Sequence, residues 1–153
     1  MPAAQGPDER DPARTARHRQ PSLFAVDVTD PDPQDLAGLL AGPGQLSRMG
    51  GTARVSVAVD AAWRVHALVG EFLRRQVPAT WGSTDDGGFV VRSAYTVRLV
   101  RLVREWSDGS GEGTKRAPAS LPLNGPALRL WVAAAGCATG DGYALRLGAA
   151  DGA

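Results

Sequence analysis

Residue types that carry most enzyme chemistry are scarce in this chain. It has two histidines, His18 and His66, and one cysteine, Cys137. One cysteine excludes an intrachain disulfide and any multi-thiolate zinc site. His66 lies beside an apolar helical stripe, where an isolated imidazole is more often structural than catalytic. Cys137 has no histidine or aspartate near it in sequence to activate a thiolate. Residues 109–113 are glycine-rich but lack the lysine and following helix of a phosphate loop, so they read as linker. What the chain does offer is cations. Arg54, Arg92 and Arg146 fall at polar-face positions of candidate strands, and Lys115 and Arg116 close a Gly/Ser loop. The guanidinium fork and the lysine ammonium suit phosphate oxygens, which makes these five the candidate phosphate contacts. Solvated strand faces also carry arginine for solubility, so both roles stay open. Arg98, Arg101 and Arg104, with Glu105 beside them, read as a solvated helix face.

The 153 residues suit one domain with a proper core, and 43% hydrophobic content fits a globular protein. The net charge of +1 argues against a strongly basic coat protein or a polybasic membrane binder. That charge is uneven: residues 1–35 carry net −3, residues 36–51 +1, residues 52–116 +3, and residues 117–153 are neutral. No apolar run approaches the ~18 residues of a membrane span. The Pro-rich, acid-bearing N-terminus does not resemble a signal peptide, so the expected location is cytoplasmic. The Ala/Gly/Arg/Val bias suits a GC-rich genome.

The elements that must position these cations follow from pattern. Residues 1–22 carry almost nothing apolar and are expected to be a disordered leader. Residues 23–35 form a lead-in, with a short docking strand over 23–28. Asp32 is the expected N-cap, and Pro33 the first-turn residue, of a helix running to about Ala41 and ended by Gly42, Pro43 and Gly44. Residues 53–59 alternate, with Val55, Val57 and Val59 on one face and Arg54, Ser56 and Ala58 on the other, as in a half-buried strand. Residues 61–76 place Val65, Leu68, Val69 and Phe72 on one helical stripe, with Asp60 as expected N-cap. Strands over 77–84 and 89–94 flank a hairpin turn at Asp85, Asp86, Gly87 and Gly88. A helix over 96–106 turns Leu99, Leu102, Val103 and Trp106 to the core. After the loop over 107–120 come an apolar helix over 126–135 and a strand over 143–147. The tryptophans Trp63, Trp81, Trp106 and Trp131 sit at mostly apolar positions and are expected in the core.

Two stretches repeat. Residues 36–44 read LAGLLAGPG and residues 128–136 read LRLWVAAAG. Each opens on Leu, has an apolar middle and closes on Gly before a strand. Arg54 lies ten residues after Gly44, and Arg146 ten after Gly136. Leu36, Gly38, Leu39 and Gly44 in the first copy, and Leu128, Val132 and Gly136 in the second, are the expected helix-packing positions.

LAGLLAGPG resembles the LAGLIDADG motif of homing endonucleases, and the elements after it resemble one unit of that family. The resemblance spans about 36–148. It implies an α+β pseudo-dimer: two central packed helices, small residues where their backbones meet, and an antiparallel sheet saddled on DNA. The second unit is expected to stop after its first strand, before a tail over 149–153. The family's metal-binding acid stands at the eighth motif position, which is Pro43 and Ala135 here. The sixth is Ala41 and Ala133. Without those carboxylates there is no hard-oxygen cage for Mg²⁺, so neither cofactor nor nuclease activity is expected. Asp60 and Asp141 are the acids that would have to assemble a site instead. The segment over 53–79 is similar to the inter-motif region of WhiA-type sporulation regulators of actinobacteria, which keep a non-catalytic domain of this kind. Those regulators carry a C-terminal helix-turn-helix, for which this sequence has no counterpart. The expectation is a non-enzymatic, DNA-associated regulatory protein that binds the duplex backbone weakly through a sheet face. The alternative is a protein-interaction module. Double-stranded DNA or a regulatory protein is the expected partner, and no membrane.

Overall fold

The first described element is capped by Asp32, whose carboxylate accepts the Gln34 amide at 2.7 Å while the Asp35 carboxylate accepts the Asp32 amide at 3.1 Å. This reciprocal cap starts a 3-10 turn, Pro33–Leu36, which runs directly into α1 (Ala37–Ala41). A computed structural model describes residues 29–107, 115–121 and 123–148. The leader, the strand over 23–28, the glycine-rich run over 109–113 and the tail lie outside the described residues.

After α1 come β1 (Gly44–Met49), β2 (Thr52–Val59), α2 (Ala62–Arg74), β3 (Ala79–Ser83), β4 (Phe89–Ser93) and α3 (Val100–Trp106), the last entered through a 3-10 turn capped by Thr96. Then follow α4 (Gly125–Ala135), β5 (Gly136–Thr139) and β6 (Gly142–Leu145). The fold is α+β. Four strands form one antiparallel sheet in the order β1-β2-β4-β3, and β5-β6 is a separate hairpin.

Two strands were not expected. β1 carries a single large buried apolar residue, Leu46, so its alternation is too weak to read. Gly50 at φ 57° turns the chain back into β2, and Met49 stands opposite Thr52. β5 is equally short of apolar residues, so the second unit has one strand more than expected, placed before the expected one, which is β6. Asp60 is not a helix cap. The N-cap of α2 is Ala61, without a side-chain bond, and Asp60 instead accepts a bond from Arg64.

Alternation of β2 sets the layers. Ala53, Val55, Val57 and Val59 point inward and join Val91 of β4 beneath Leu68 and Phe72 of α2. Leu99, Leu102, Val103 and Trp106 bury as expected. Only Trp106 of the four tryptophans is fully buried: Trp63 is 58% and Trp81 52% exposed, and Trp131 is half-buried, its Nε1 donating to the Arg146 carbonyl at 2.9 Å. Charge also enters the core. Arg75, 3% exposed, donates from Nε and Nη2 to Asp35 at 3.1 and 2.9 Å and from Nη1 to Glu71 at 2.6 Å. This ties the end of α2 to the first turn of the fold. No helix among the described residues is long and apolar enough to cross a membrane.

Candidate nucleic-acid interface

α1 and α4 lie directly against one another. A Cβ built on Gly38 would stand 1.8 Å from the Ala127 carbonyl oxygen, so the backbones touch. Gly42 is less tightly confined, by the Trp131 side-chain ring at 2.8 Å. Leu36 and Leu39 are fully buried at this contact, joined by Leu130 and Ala134 of α4. Leu128 does not take the packing position expected of it: it is 43% exposed, and Ala127 and Leu130 face α1 side instead. The reason is helical phase. Leu130 and Ala134 share a stripe four residues apart, which leaves Leu128 off it. Val132 is half-buried, and its contribution is its carbonyl.

Gly44 and Gly136 hold equivalent places, each opening the first strand of a hairpin. Each would collide with a carbonyl of its own helix if it bore a Cβ, at 2.5 Å for Gly44 and 2.7 Å for Gly136. Each also has its own carbonyl bound by a distant cation. Arg64 of α2, 6% exposed, donates to Val132 at 3.3 Å, Ala133 at 2.8 Å and Gly136 at 2.6 Å. Lys115 donates to Gly42 and Gly44, both at 2.9 Å. A helix end leaves carbonyls without intrahelical partners and carries partial negative charge, and a cation satisfies both conditions. Lys115 is therefore a structural tie in this fold, a role that its expected place among the DNA contacts did not include. Its replacement by methionine should cost about 1–3 kcal/mol, the range for part-buried acceptors left unpaired. Urea unfolding checks this, and a loss below about 0.5 kcal/mol would show that water takes over both carbonyls.

The eighth motif positions, Pro43 and Ala135, line a cleft of about 450 Å³ with Asp60, Asp86 and Arg146. Asp60 is held between Arg64 Nε at 2.9 Å and Arg146 Nη2 at 3.5 Å. Asp86 accepts from the Thr84 hydroxyl and from the Gly88 amide at 3.2 Å, and those bonds hold its carboxyl below the ordinary aspartate value of 3.8. Asp141 is exposed in the β5-β6 turn. Among the described residues no three of His, Cys, Asp and Glu gather to hold a metal ion. Cys137 is half-buried and donates to the Ala144 carbonyl at 3.8 Å, and His66 is exposed on α2.

The remaining candidates divide. Arg54 of β2 and Arg92 of β4 share the outer face of the four-stranded sheet. Arg92 stands opposite Ser56, two residues along β2 from Arg54, so the two arginines are diagonal neighbours. Arg54 lies 4.4 Å from the Tyr95 ring centroid, and its Nε is buried without a hydrogen-bond partner. Ser47 stands opposite Arg54, Gln45 opposite Ser56 and Thr80 opposite Arg92, which adds hydroxyl and amide groups to the same face. No strand residue on this face is a carboxylate. Arg146 is elsewhere: it lies one residue beyond β6, beside Asp60. Arg116 is exposed, and its amide donates to the Trp106 carbonyl at 2.9 Å. Compared with protein-family models and with curated proteins, the sequence matches none.

Sequence reasoning missed Arg64 and Tyr95. Arg64 interrupts an otherwise apolar helix start beside Trp63, and a charge at that phase was the available signal. Tyr95 stands two residues past the end of β4 and had no readable partner.

Proposed function

We propose that this chain is a non-catalytic, DNA-associated regulatory domain of LAGLIDADG-like architecture, acting in the cytoplasm. Its outer sheet face takes the backbone of duplex DNA. The observation that carries the reading is the outer face itself: Arg54 and Arg92 on neighbouring strands, hydroxyl and amide groups between them, and no strand carboxylate to repel phosphate. The cation–π contact with Tyr95 holds the Arg54 guanidinium in place, so less side-chain freedom is lost when it meets a phosphate. The packed α1–α4 pair and the matched glycines at the starts of β1 and β5 support the two-unit architecture. At the helix ends, where the resembled family holds metal, this chain supplies Pro43 and Ala135. The nearby Asp60 is engaged by two arginines. With few cations on the face and a net charge of +1, binding should be modest and salt-sensitive.

Two assays on one preparation test this. A duplex fragment should be retarded in a gel at about 50 mM salt and released near 200 mM. Supercoiled plasmid incubated with Mg²⁺ should stay intact. Nicking that EDTA abolishes would overturn the non-catalytic reading. A protein-interaction role is the second reading, favoured by the apolar residues that α2 turns outward.

A further inference from the structure

The net charge of −3 over residues 1–35 conceals a run of the opposite sign. No acid occurs between Asp11 and Asp27, and Arg14, Arg17 and Arg19 give residues 12–26 a charge of +3. The residues among those arginines are mostly small, with Thr15 and Ala16 between the first two. The structure says where this run is tethered. The described chain begins at Thr29, and its first turn, Pro33–Leu36, packs against the 3-10 turn Val97–Leu99 ahead of α3. That second turn is tied to the start of β2: the Ala53 amide donates to the Thr96 carbonyl at 3.1 Å, and the Thr96 amide to the Ala53 carbonyl at 2.9 Å. Arg54 is the next residue of β2, and the neighbour of Thr96, Tyr95, is the ring against which its guanidinium lies. The buried Arg75–Asp35 pair at 2.9 Å fixes the first turn in place. The described chain therefore starts at the Arg54 end of the sheet.

We infer that the basic run over 12–26 is a second contact with duplex DNA, an inference that rests on the reading of the outer sheet face as the first. Arg14, Arg17 and Arg19 take phosphates of the same duplex where it passes the Arg54 end of the sheet. Arg19 stands ten residues before Thr29, and ten extended residues span at most about 33–36 Å. Four strands at their usual spacing make the sheet only about 14 Å across. The chain is thus long enough to bring Arg19 to a duplex on the outer face. Asp30 and Asp32, exposed at the entry to the first turn, repel phosphate, so the duplex meets the cations on either side of them. Once the face engages DNA, contacts from the tethered run become intramolecular and add affinity without further folded surface. Arg54 and Arg92 alone give a salt slope near −2, and three more phosphate contacts steepen it to about −5. Phosphate accepts any point charge, so lysine should replace these arginines, whereas alanine should not.

Salt-titrated fluorescence anisotropy of a labelled duplex with the full chain tests the proposal. Arg14→Ala, Arg17→Ala and Arg19→Ala combined should flatten the salt slope by about 3 and weaken binding at about 50 mM salt tenfold or more. The same three changed to lysine should keep the slope. Arg54→Ala with Arg92→Ala, measured beside them, separates the two readings. If that pair flattens the slope and the triple alanine change leaves it intact, the basic run is overturned and the outer face stands. If the triple change flattens it and the pair does not, the run binds DNA and the outer-face reading fails. A lysine triple as weak as the alanine triple would also overturn the proposal, because phosphate contact needs only the charge. Absence of binding by the parent chain at about 50 mM salt overturns both readings.

Discussion

Arg64→Met should destabilise the fold by about 3 kcal/mol. The guanidinium serves Val132, Ala133 and Gly136, all at the point where α4 becomes β5. Methionine preserves most of the buried stem and removes every donor. The Gly136 carbonyl bond is buried, and its acceptor would lose its partner at a cost of about 1–3 kcal/mol. The other two acceptors are part-buried and would recover some of their loss from water. Asp60, already exposed, would keep only its longer contact with Arg146. Arg64→Lys keeps the charge but not the fork, so it should recover part of the stability and not all of it. Urea unfolding of the three proteins gives the order. A methionine variant within about 1 kcal/mol of the parent would mean that α4 ends without needing Arg64.

Gly38→Ala should cost about 3 kcal/mol, the upper end of what an inserted methyl group does in a packed site. The methyl group would arrive 1.8 Å from the Ala127 carbonyl oxygen. That atom is backbone and cannot rotate away, so α1 and α4 must separate and surrender contacts of Leu36, Leu39 and Leu130. The same substitution at Gly70, which is open, should stabilise by about 1 kcal/mol. Two Gly→Ala changes of opposite sign, each in a helix, isolate the backbone approach from helix propensity. Equal effects from both would contradict the close pairing of α1 with α4.

Elements with strong periodicity were legible. The stripe of Val65, Leu68 and Phe72 found α2, the valines of β2 found its inward face, and Asp85–Gly88 found the β3-β4 turn. β1 and β5 were illegible because an edge strand and a two-strand hairpin bury too little to enforce alternation. Leu128 was misplaced because matching the repeats by sequence fixed a register, whereas burial follows the helical phase of Leu130 and Ala134. Lys115 read as a phosphate contact because its charge is visible in sequence, and the Gly42 and Gly44 carbonyls it serves are about seventy residues away. Arg54 and Arg92 were legible as outward-facing, since strand parity decides that. Their diagonal adjacency depends on the β2-β4 register, which is a tertiary fact. Trp63 and Trp81 failed for the converse reason. Apolar type predicts burial only when another layer covers the position, and no element among the described residues covers Trp63.

The central claim is that duplex DNA lies across the outer face over Arg54 and Arg92. Fluorescence anisotropy of a labelled duplex, titrated at several salt concentrations, tests it most directly. The logarithm of affinity should fall linearly with the logarithm of salt concentration, by close to 0.9 per phosphate engaged. Replacing Arg54 and Arg92 together with alanine should flatten that slope by about 2 and weaken binding across unrelated sequences alike. Absence of binding at about 50 mM salt, or a slope that the double substitution leaves unchanged, would contradict it.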